Sequence, residues 1–329
     1  MRIGLALPQY DYSLSQEQPL TWDAIRHVSE RAQALGFASL WLSDHVFLDL
    51  AKYNGPAEHR FAFDPVVTLG ALAQAVPNVR LGTLVALEVL RPASVLANAF
   101  ATLDRISGGR IDIGLGAGWY EPDYAAVGMA MPSPGERLRR LEEAVHVVQG
   151  TVSGAPLRFD GTFHSANTPG VETGALQRPT PPIFVGGKGD KLLDLAARTG
   201  VGWNTCWTWT PADYAQRLEV LNAACARHGR DPQSVWRSLG LYALAGDSAS
   251  DLERRFARLA AQSPKGVLDG VTLDQYRQGR LVGTIDEVRT QARAWEDLGV
   301  ETLIVGVGAV PFQIGDLDDL EPLAHALLG

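Results

Sequence analysis

Three consecutive residues, Ser43-Asp44-His45, have side chains that could carry proton chemistry. They directly follow an apolar run, ending at Leu42, that is typical of a buried strand. A histidine titrates near neutral pH, so His45 could donate or accept a proton, and Asp44 could orient a neighbour or bind a ligand amide. A solvated loop histidine fits the same residues, so both interpretations stay open.

A glycine-rich turn, Gly116-Ala117-Gly118, follows the apolar run 111–115. Because side chains are almost absent here, a flat ligand could lie against the backbone. A tight turn explains the same residues, and their spacing does not separate the two interpretations. The dinucleotide-binding fingerprint is not met, because Glu121 stands where its third glycine would be.

A second glycine-rich turn, Gly186-Gly187-Lys188-Gly189, precedes a helical pattern. Free backbone N–H groups at a helix start favour an anion, and Lys188 or Lys191 would add positive charge. The spacing differs from that of a Walker phosphate loop, and no serine or threonine follows the lysine. The alternative is an ordinary glycine-rich turn between a strand and a helix.

Five tryptophans lie close to the ends of candidate strands. Flat rings at such places suit a pocket for an aromatic molecule, and Trp41, Trp119 and Trp207 are predicted to line the substrate pocket. Tryptophans also fill the rims of barrels, so packing explains each of them taken alone. The five are Trp41, Trp119, Trp203, Trp207 and Trp209.

The sequence patterns of several other chemistries are missing. No His-x-His pair follows the first candidate strand, no His-Glu-x-x-His motif occurs, and Glu88 and Glu121 lack a histidine cluster, so no metal site is predicted. Without a Gly-x-Ser-x-Gly motif, an esterase is disfavoured. The two cysteines, Cys206 and Cys225, predict neither a disulfide framework nor a thiolate metal site.

The composition favours a protein that binds a small molecule. A net charge of −8 and a pI of about 5.4 argue against a general nucleic-acid or acidic-membrane surface. The first residues, MRIGLALPQY, lack the features of a signal peptide, and no later stretch resembles a membrane span. We therefore expect a soluble, cytoplasmic protein with no nucleic-acid or membrane partner.

The elements that would position these residues follow from the apolar runs. Amphipathic helices that end at glycine alternate with apolar strands, and a βα barrel can accommodate all 329 residues as one domain with a large core. The prediction is a closed (β/α)8 barrel, or TIM barrel, whose site lies where the strands end. The eight candidate strands are 3–7, 39–42, 80–85, 111–115, 183–185, 202–205, 239–243 and 302–305.

Several helices carry start and stop signals. Helices are predicted to begin at Asp64-Pro65, at Thr210-Pro211 and at a capping box of Thr284 with Glu287. Another helix should open at Pro92 and end at Ser107-Gly108-Gly109, with an apolar repeat of Val95, Leu96, Ala99, Leu103 and Ile106. Residues 154–182 and 246–283 break the alternation and are predicted as insertions over the barrel mouth.

Longer stretches resemble the luciferase-like flavin and deazaflavin oxidoreductases. The resemblance covers most of the chain apart from the two insertions, and it implies a (β/α)8 barrel with a tricyclic cofactor at the C-terminal ends of the strands. The matching stretches are WLSDHVF (41–47), LGTLV (81–85), LDRISGGRIDIGLGAGWYEPDY (103–124), PPIFVGGKGDKLLDLAARTGVGWNT (181–205) and VGTIDEVRTQARAWEDLGVETLIV (282–305).

The resemblance also implies roles for residues. Asp44 and His45 would lie beside the reactive ring, with His45 as proton donor or acceptor, and a non-proline cis peptide at Leu84-Val85 would support the back of the ring. The cofactor phosphate would be held after the fifth strand. The residues implied to bind the cofactor are Asp44, Leu84, Val85, Gly116, Ala117, Gly118, Gly186, Gly187, Lys188, Gly189 and Thr205.

Two cofactors are compatible with this family. The Asp-His pair and the Gly-Gly-Lys-Gly-Asp run more closely resemble the deazaflavin branch. That resemblance implies coenzyme F420 and hydride transfer between the deazaflavin and a small organic substrate, with His45 handling the proton. The alternative is an FMN-dependent monooxygenase that uses reduced flavin and oxygen. The sugar-phosphate dehydrogenases of this family carry a glutamate where this chain has Trp119, so that substrate is rejected.

Two interpretations of other classes remain from the sequence. One is a flavin- or deazaflavin-binding protein without catalysis, and the more remote one is a metal-dependent barrel hydrolase. The resemblance further predicts a homodimer. The two insertions are expected to select the substrate.

Overall fold

The computed structural model describes residues 1–15, 18–171 and 174–329. The strands are β1 (Arg2–Ala6), β2 (Ser39–Leu42), β3 (Phe47–Leu48), β4 (Arg60–Phe61), β5 (Arg80–Thr83), β6 (Ala86–Leu87), β7 (Ile111–Gly116), β8 (Leu157–Asp160), β9 (Ser165–Thr168), β10 (Ile183–Gly186), β11 (Gly202–Trp207), β12 (Arg237–Gly246), β13 (Leu281–Thr284) and β14 (Thr302–Gly306). The helices are α1 (Trp22–Leu35), α2 (Pro65–Ala75), α3 (Ala93–Ser107), α4 (Glu121–Ala126), α5 (Pro134–Ser153), α6 (Asp190–Thr199), α7 (Pro211–Arg227), α8 (Ala249–Gln262), α9 (Leu273–Arg277), α10 (Ile285–Asp297) and α11 (Leu320–Leu328). Within the described ranges, no helix is both long and apolar enough to cross a membrane.

Eight parallel strands close into a barrel. In order around it, β1 pairs with β2, β2 with β5, β5 with β7, β7 with β10, β10 with β11, β11 with β12, β12 with β14, and β14 with β1. The eight strands predicted from the apolar runs are all confirmed, with ends shifted by at most three residues. The molecule is therefore a (β/α)8 barrel, as the sequence predicted.

Two large aromatic side chains fill the barrel interior. Trp41 and Phe184 are fully buried, and their rings lie 5.8 Å apart at 60°. A Cβ atom at Gly82 would lie 2.2 Å from Trp41, and one at Gly114 would lie 2.4 Å from Phe184. Positions without side chains on neighbouring strands thus make room for these rings, so the barrel interior is a packed core.

The helix start signals are confirmed by their hydrogen bonds. The Asp64 side chain accepts from the Val67 N–H at 3.0 Å at the start of α2. Thr210 caps α7 by accepting from the N–H of its third helical residue. At α10, Thr284 and Glu287 form both bonds of a capping box, which satisfies two N–H groups that the helix itself leaves free.

Helix α3 begins and ends where the sequence predicted, but its buried face differs. Pro92 precedes it, and Gly108 ends it in the left-handed region at a φ of 71°. Of the predicted apolar repeat, Val95 and Ile106 are exposed to 58% and 47%. Their places in the core are taken by Ala97 and Phe100. The apolar repeat therefore located the helix correctly, but it assigned two exposed residues, Val95 and Ile106, to the core-facing side.

The first predicted insertion, 154–182, lies largely along the outside of the barrel; its residues 172 and 173 are outside the described ranges. Strands β8 and β9 form an antiparallel hairpin beside α5. Glu143 of α5 accepts three backbone N–H groups of the hairpin loop, at 2.7 to 2.9 Å. From that loop, His164 Nε2 lies 3.0 Å from Glu88 Oε2, so the tip of the hairpin approaches the rim.

The second predicted insertion, 246–283, packs behind the loop that follows β2. Strand β13 pairs in parallel with the last residues of β12, beyond the part of β12 that belongs to the barrel. Val267, Leu268 and Tyr276 share one apolar cluster with Leu48 and Leu50 of the loop after β2. This insertion therefore supports the loop from outside.

Candidate active site at the carboxyl ends of the strands

A cavity of about 420 Å³ lies at the C-terminal ends of the barrel strands, a size in the range of small-molecule sites. Its walls come from the last residues of β7, β10 and β11 and from the segments that follow β1, β2, β5, β7, β10 and β14. The lining residues are Tyr10, Ser43, His45, Leu48, Lys52, Tyr53, Leu84, Val85, Leu87, Gly116, Ala117, Gly118, Trp119, Gly186, Gly187, Lys188, Asn204, Thr205, Cys206, Trp207, Pro311 and Phe312. This is the end of the barrel where the sequence placed the site.

His45 is held by a carboxylate that the sequence reasoning missed. Its Nδ1 lies 2.6 Å from Asp123 Oδ2, and the other oxygen of Asp123 accepts the Val46 N–H at 3.0 Å. Asp123 lies fully buried in α4. Because a carboxylate accepts from Nδ1–H, this bond assigns the tautomer and leaves Nε2 as the nitrogen available to the cavity.

Aromatic rings fix the plane of the His45 imidazole. Trp119 and Tyr120 meet it edge to face, with ring centroids at 5.7 Å and 5.8 Å. Tyr120 is itself anchored, because its hydroxyl donates to Asp49 Oδ2 at 2.6 Å. The imidazole is thus held by one hydrogen bond and two rings, which restricts the direction in which Nε2 can point.

Tyr10 brings a neutral hydroxyl to the cavity, at a ring distance of 6.4 Å from His45. Its hydroxyl bonds to Ser43 Oγ, and Ser43 Oγ donates to Gln9 Oε1 at 3.0 Å, so Tyr10 is the donor of the pair. Burial raises the pKa of Tyr10 well above its ordinary value. Tyr10 therefore stays protonated over the working range of an enzyme.

Asp44 is buried and is not among the residues that line the cavity, so its predicted roles in catalysis and cofactor binding stay predictions. Its Oδ2 accepts from Arg91 at 2.7 Å and from the Leu87 N–H at 3.0 Å. Arg91 also pairs with Asp64. Burial raises the pKa of Asp44, and Arg91 opposes that rise. The carboxylate is therefore a buried anchor that ties the β2 end to β6, and the partner of His45 is Asp123.

The segment after β5 presents Val85 to the cavity. The Leu84–Val85 peptide bond is cis, as the resemblance implied, and both residues line the cavity. A Cβ atom at Gly116 would lie 2.3 Å from the Val85 side chain, and one at Gly186 would lie 2.8 Å from it. The glycines thus leave room for a valine side chain, where the sequence reasoning considered only a flat ligand or a tight turn.

The last glycine of the first turn accommodates a tyrosine. Gly118 has a φ of 72°, in the left-handed region, and a Cβ there would meet the Tyr124 hydroxyl at 2.5 Å. That hydroxyl donates to the Ala117 carbonyl at 2.7 Å. Ala117 and Gly118 both line the cavity, so this turn contributes mainly backbone to the wall.

The start of α6 offers unpaired donors to an anion. The helix follows Gly189, which supplies no side-chain cap, and the preceding Gly187 and Lys188 line the cavity. Gly189 itself does not line it. Close by in the wall, Thr205 is buried and its Oγ1 has no hydrogen-bond partner among the described residues. A buried hydroxyl without a partner and an uncapped helix start are both features that a bound anion would satisfy.

Two of the three tryptophans predicted for the substrate pocket line the cavity, and one does not. Trp119 lines it and is 41% exposed. Trp207 also lines it, stacked on Tyr242 at 5.3 Å. Trp41 lies in the barrel core, and its Nε1 donates to Ser39 Oγ at 2.9 Å, so the prediction for Trp41 is corrected.

Neither predicted insertion supplies a lining residue among the described parts of the chain. The outer walls come from the loop after β2, with Leu48, Lys52 and Tyr53, and from Pro311 and Phe312 after β14. The expectation that the insertions select the substrate therefore gains no support. Strands β3 and β4, which fold the loop after β2, have only two residues each, too few to show an alternating pattern in the sequence.

The cavity contains one thiol, and its environment keeps it protonated. Burial raises the pKa of Cys206 to about 12, although Lys188 and Lys52 oppose the rise. A thiol with such a pKa is a poor nucleophile and a poor metal ligand near neutral pH. The described residues also contain no group of three or more His, Cys, Asp or Glu side chains that could hold a metal ion.

The sequence matches one family model over most of its length. The model describes luciferase-like monooxygenases and matches residues 1–302. The chain belongs to this family. Members of this family are oxidoreductases, including monooxygenases.

Two relatives within the luciferase-like family use different cofactors. The F420-dependent hydroxymycolic acid dehydrogenase of Mycobacterium tuberculosis is 30% identical over 317 residues, which cover 93% of this chain and 82% of that protein. The FMNH(2)-dependent dimethylsulfone monooxygenase of Pseudomonas putida is 24% identical over 323 residues, with 88% and 85% coverage. Membership of the family is therefore compatible with either a deazaflavin or a flavin as the cofactor.

A solved structure shows the same fold over the full chain. An F420-dependent secondary alcohol dehydrogenase, in complex with an F420-acetone adduct, superposes with a TM-score of 0.76 and covers 99% of this chain and 98% of its own. At 21% identity this is a likeness of fold. It agrees with the barrel closure described above.

Proposed function

We propose that this protein is a coenzyme F420-dependent oxidoreductase that transfers a hydride between the deazaflavin and a small organic substrate, with His45 moving the accompanying proton. The observation that carries the proposal is the His45–Asp123 pair, in which Nδ1 is bonded at 2.6 Å and Nε2 is left to an apolar, aromatic cavity. A fixed imidazole beside a cavity of ligand size suits coupled hydride and proton transfer.

The residues present fit a tricyclic cofactor with an anionic tail. Lys188, the uncapped start of α6 and the unpartnered Thr205 Oγ1 would hold the phosphate. Val85 and the backbone of Gly116 to Gly118 would lie against the ring. When bound, the deazaflavin supplies a carbon that donates or accepts a hydride and reacts poorly with oxygen.

His45 transfers the proton that accompanies the hydride. Oxidation of an alcohol to a carbonyl releases one hydride and one proton, and Nε2 accepts the proton while Asp123 stabilises the imidazolium. In the reverse direction the same nitrogen returns the proton to the substrate oxygen. Asp123 is a positioning residue, since it acts on the substrate only through His45.

The His45→Ala variant tests this role. Turnover with the loaded cofactor should fall about 10²- to 10⁴-fold, and the pH dependence contributed by the imidazole should disappear. The measurement is the rate of cofactor absorbance change over a panel of alcohols, carbonyls and activated alkenes. Full turnover with an unchanged pH profile in His45→Ala would remove the proposed role.

The second candidate is an FMN-dependent monooxygenase. It is favoured by the similarity to the FMNH(2)-dependent dimethylsulfone monooxygenase, which extends over 88% of this chain. Reduced FMN activates oxygen, so this function would show as substrate-dependent oxygen consumption with a flavin reductase present. F420-dependent turnover without oxygen consumption would decide against it.

A further inference from the structure

The cavity contains two ammonium groups without an anionic partner. Lys52, after β3, and Lys188, before α6, both line it. Within the described residues neither forms an ion pair with a carboxylate. Each lies instead over an aromatic face, Lys52 Nζ at 3.7 Å from the Trp119 ring centroid and Lys188 Nζ at 4.8 Å from that of Trp209.

The two charges act on the same space. Burial lowers the pKa of Lys52, and repulsion from Lys188 lowers it further. Both lysines also favour the thiolate of Cys206, which lies in the wall. Two like charges without a counter-ion in one cavity raise each other's energy, and an anion bound between or beside them would relieve that repulsion.

Lys52 and Lys188 reach the cavity from different elements. Lys188 directly precedes α6, whereas Lys52 belongs to the loop after β2 that also carries His45. Trp119 lies between Lys52 and His45. Its ring lies under Lys52 Nζ, and its ring centroid is 5.7 Å from that of the His45 imidazole. An anion at Lys52 would therefore lie across the Trp119 ring from the His45 imidazole.

The rest of the outer wall is apolar. Leu48, Tyr53, Trp207 and Phe312 line it, and the Phe312 ring packs edge-on against Trp207 at 5.5 Å. Such a wall suits a hydrocarbon or aromatic body, and the positive charge suits a terminal anion.

We propose that Lys52 is a specificity-determining residue that binds a carboxylate or another anionic group on the substrate, so that the preferred substrates are organic acids with an apolar body. The proposal rests on the proposed function, because it assumes that His45 and the cofactor react with the same molecule. It assigns the anion to the substrate, and an anionic cofactor tail at Lys52 is the competing source of the same chemistry.

The test is a paired titration that needs no turnover. Cofactor-loaded protein is titrated with 3-phenylpropanoate and with 3-phenylpropanamide, which differ in charge and have nearly the same shape. The variants are Lys52→Gln, the charge-conserving Lys52→Arg, and Lys265→Gln as a matched control, since Lys265 is exposed and outside the cavity. Lys188→Gln completes the set, and the cofactor affinity of every variant is measured in parallel.

We expect the variants to separate an effect on acid binding from an effect on cofactor binding. The acid should bind about tenfold more tightly than the amide, Lys52→Gln should abolish that preference, and Lys52→Arg should restore most of it. Lys265→Gln should change nothing. Lys188→Gln should lower the affinity for the cofactor, whereas Lys52→Gln should leave cofactor affinity within about twofold of wild type.

Three results would overturn the assignment. In the first, the acid binds no better than the amide. In the second, the preference of the protein for the acid survives in Lys52→Gln. In the third, Lys52→Gln lowers cofactor affinity, which would assign Lys52 to the cofactor tail. These results are distinct from failure of the proposed function, which would show as absent F420 binding or as unchanged turnover in His45→Ala. Repeating the probe titration on cofactor-free protein keeps the charge test valid in that case.

Discussion

The proton chemistry of this cavity depends on which carboxylate holds His45. Its neighbour in the chain, Asp44, is bonded to Arg91, whereas Asp123, seventy-eight residues further along the chain, bonds Nδ1 at 2.6 Å. A carboxylate bonded to Nδ1 selects one tautomer and stabilises the protonated ring. Asp123 is therefore the residue whose change should separate positioning of His45 from its chemistry.

We predict that Asp123→Asn lowers turnover about 10- to 100-fold while His45 stays in place. An amide no longer stabilises the imidazolium, and it permits the other tautomer. Long-range ¹H–¹⁵N correlation spectra should show protonated Nδ1 in the wild type and a mixed state in the variant. The exposed Asp160→Asn serves as the control. An unchanged tautomer and rate in Asp123→Asn would contradict the assigned role.

The Cys206 thiol gives a second residue-level prediction. Because burial raises its pKa to about 12, the thiolate is scarce at every pH below that value. At about pH 8, alkylation by N-ethylmaleimide should be slower than for free cysteine by about three powers of ten. Mass spectrometry of the folded protein measures the labelling, and the denatured protein is the control. Rapid labelling of Cys206 in the folded protein would refute a raised pKa.

Among the secondary-structure elements, the contact between the end of β7 and the segment after β5 shapes the cavity wall. The Val85 side chain occupies the space that a Cβ at Gly116 would need, 2.3 Å from its Cγ2. Gly116→Ala should therefore destabilise the protein by about 1 to 3 kcal/mol through overpacking. The double variant with Val85→Ala should recover much of that loss, since the two sites are in direct contact.

Chemical denaturation of the single and double variants measures this coupling. Gly70→Ala is the matched control, because Gly70 lies within α2 with open space around its Cβ position, and alanine there should stabilise by about 0.5 to 1 kcal/mol. Additive effects of Gly116→Ala and Val85→Ala would show that the two segments do not meet as described.

The elements themselves were predictable to different degrees. The barrel strands have uninterrupted apolar runs, and the helices have local signals such as the Thr284–Glu287 box, so both could be located from the sequence. The pair β3 and β4 has two residues per strand and is held by neighbouring packing, which leaves no periodic signal. The cavity wall from Leu48 to Tyr53 was missed for that reason.

Over the whole molecule, closure of the barrel brings together residues that are far apart in the chain. Because parallel strands end at one face, the residues at or just after the ends of β2, β7, β10 and β11 were expected to meet, and they do. Side-chain direction could not be predicted, so Trp41 was assigned to the pocket although it fills the barrel core. The homodimer stays a prediction from the resemblance.

Selection between a deazaflavin and a flavin depends on the whole cavity, because the wall against the ring, the phosphate site and the proton donor all contact the bound cofactor or its substrate. The most direct measurement is a paired titration of cofactor-free protein with coenzyme F420 and with FMN, followed by ligand and tryptophan fluorescence. Trp119 and Trp207 line the cavity and should report a bound ring. We predict tight binding of F420 and weak binding of FMN. Preference for FMN would contradict the proposed F420 dependence and assign the protein to the oxygen-using branch of its family.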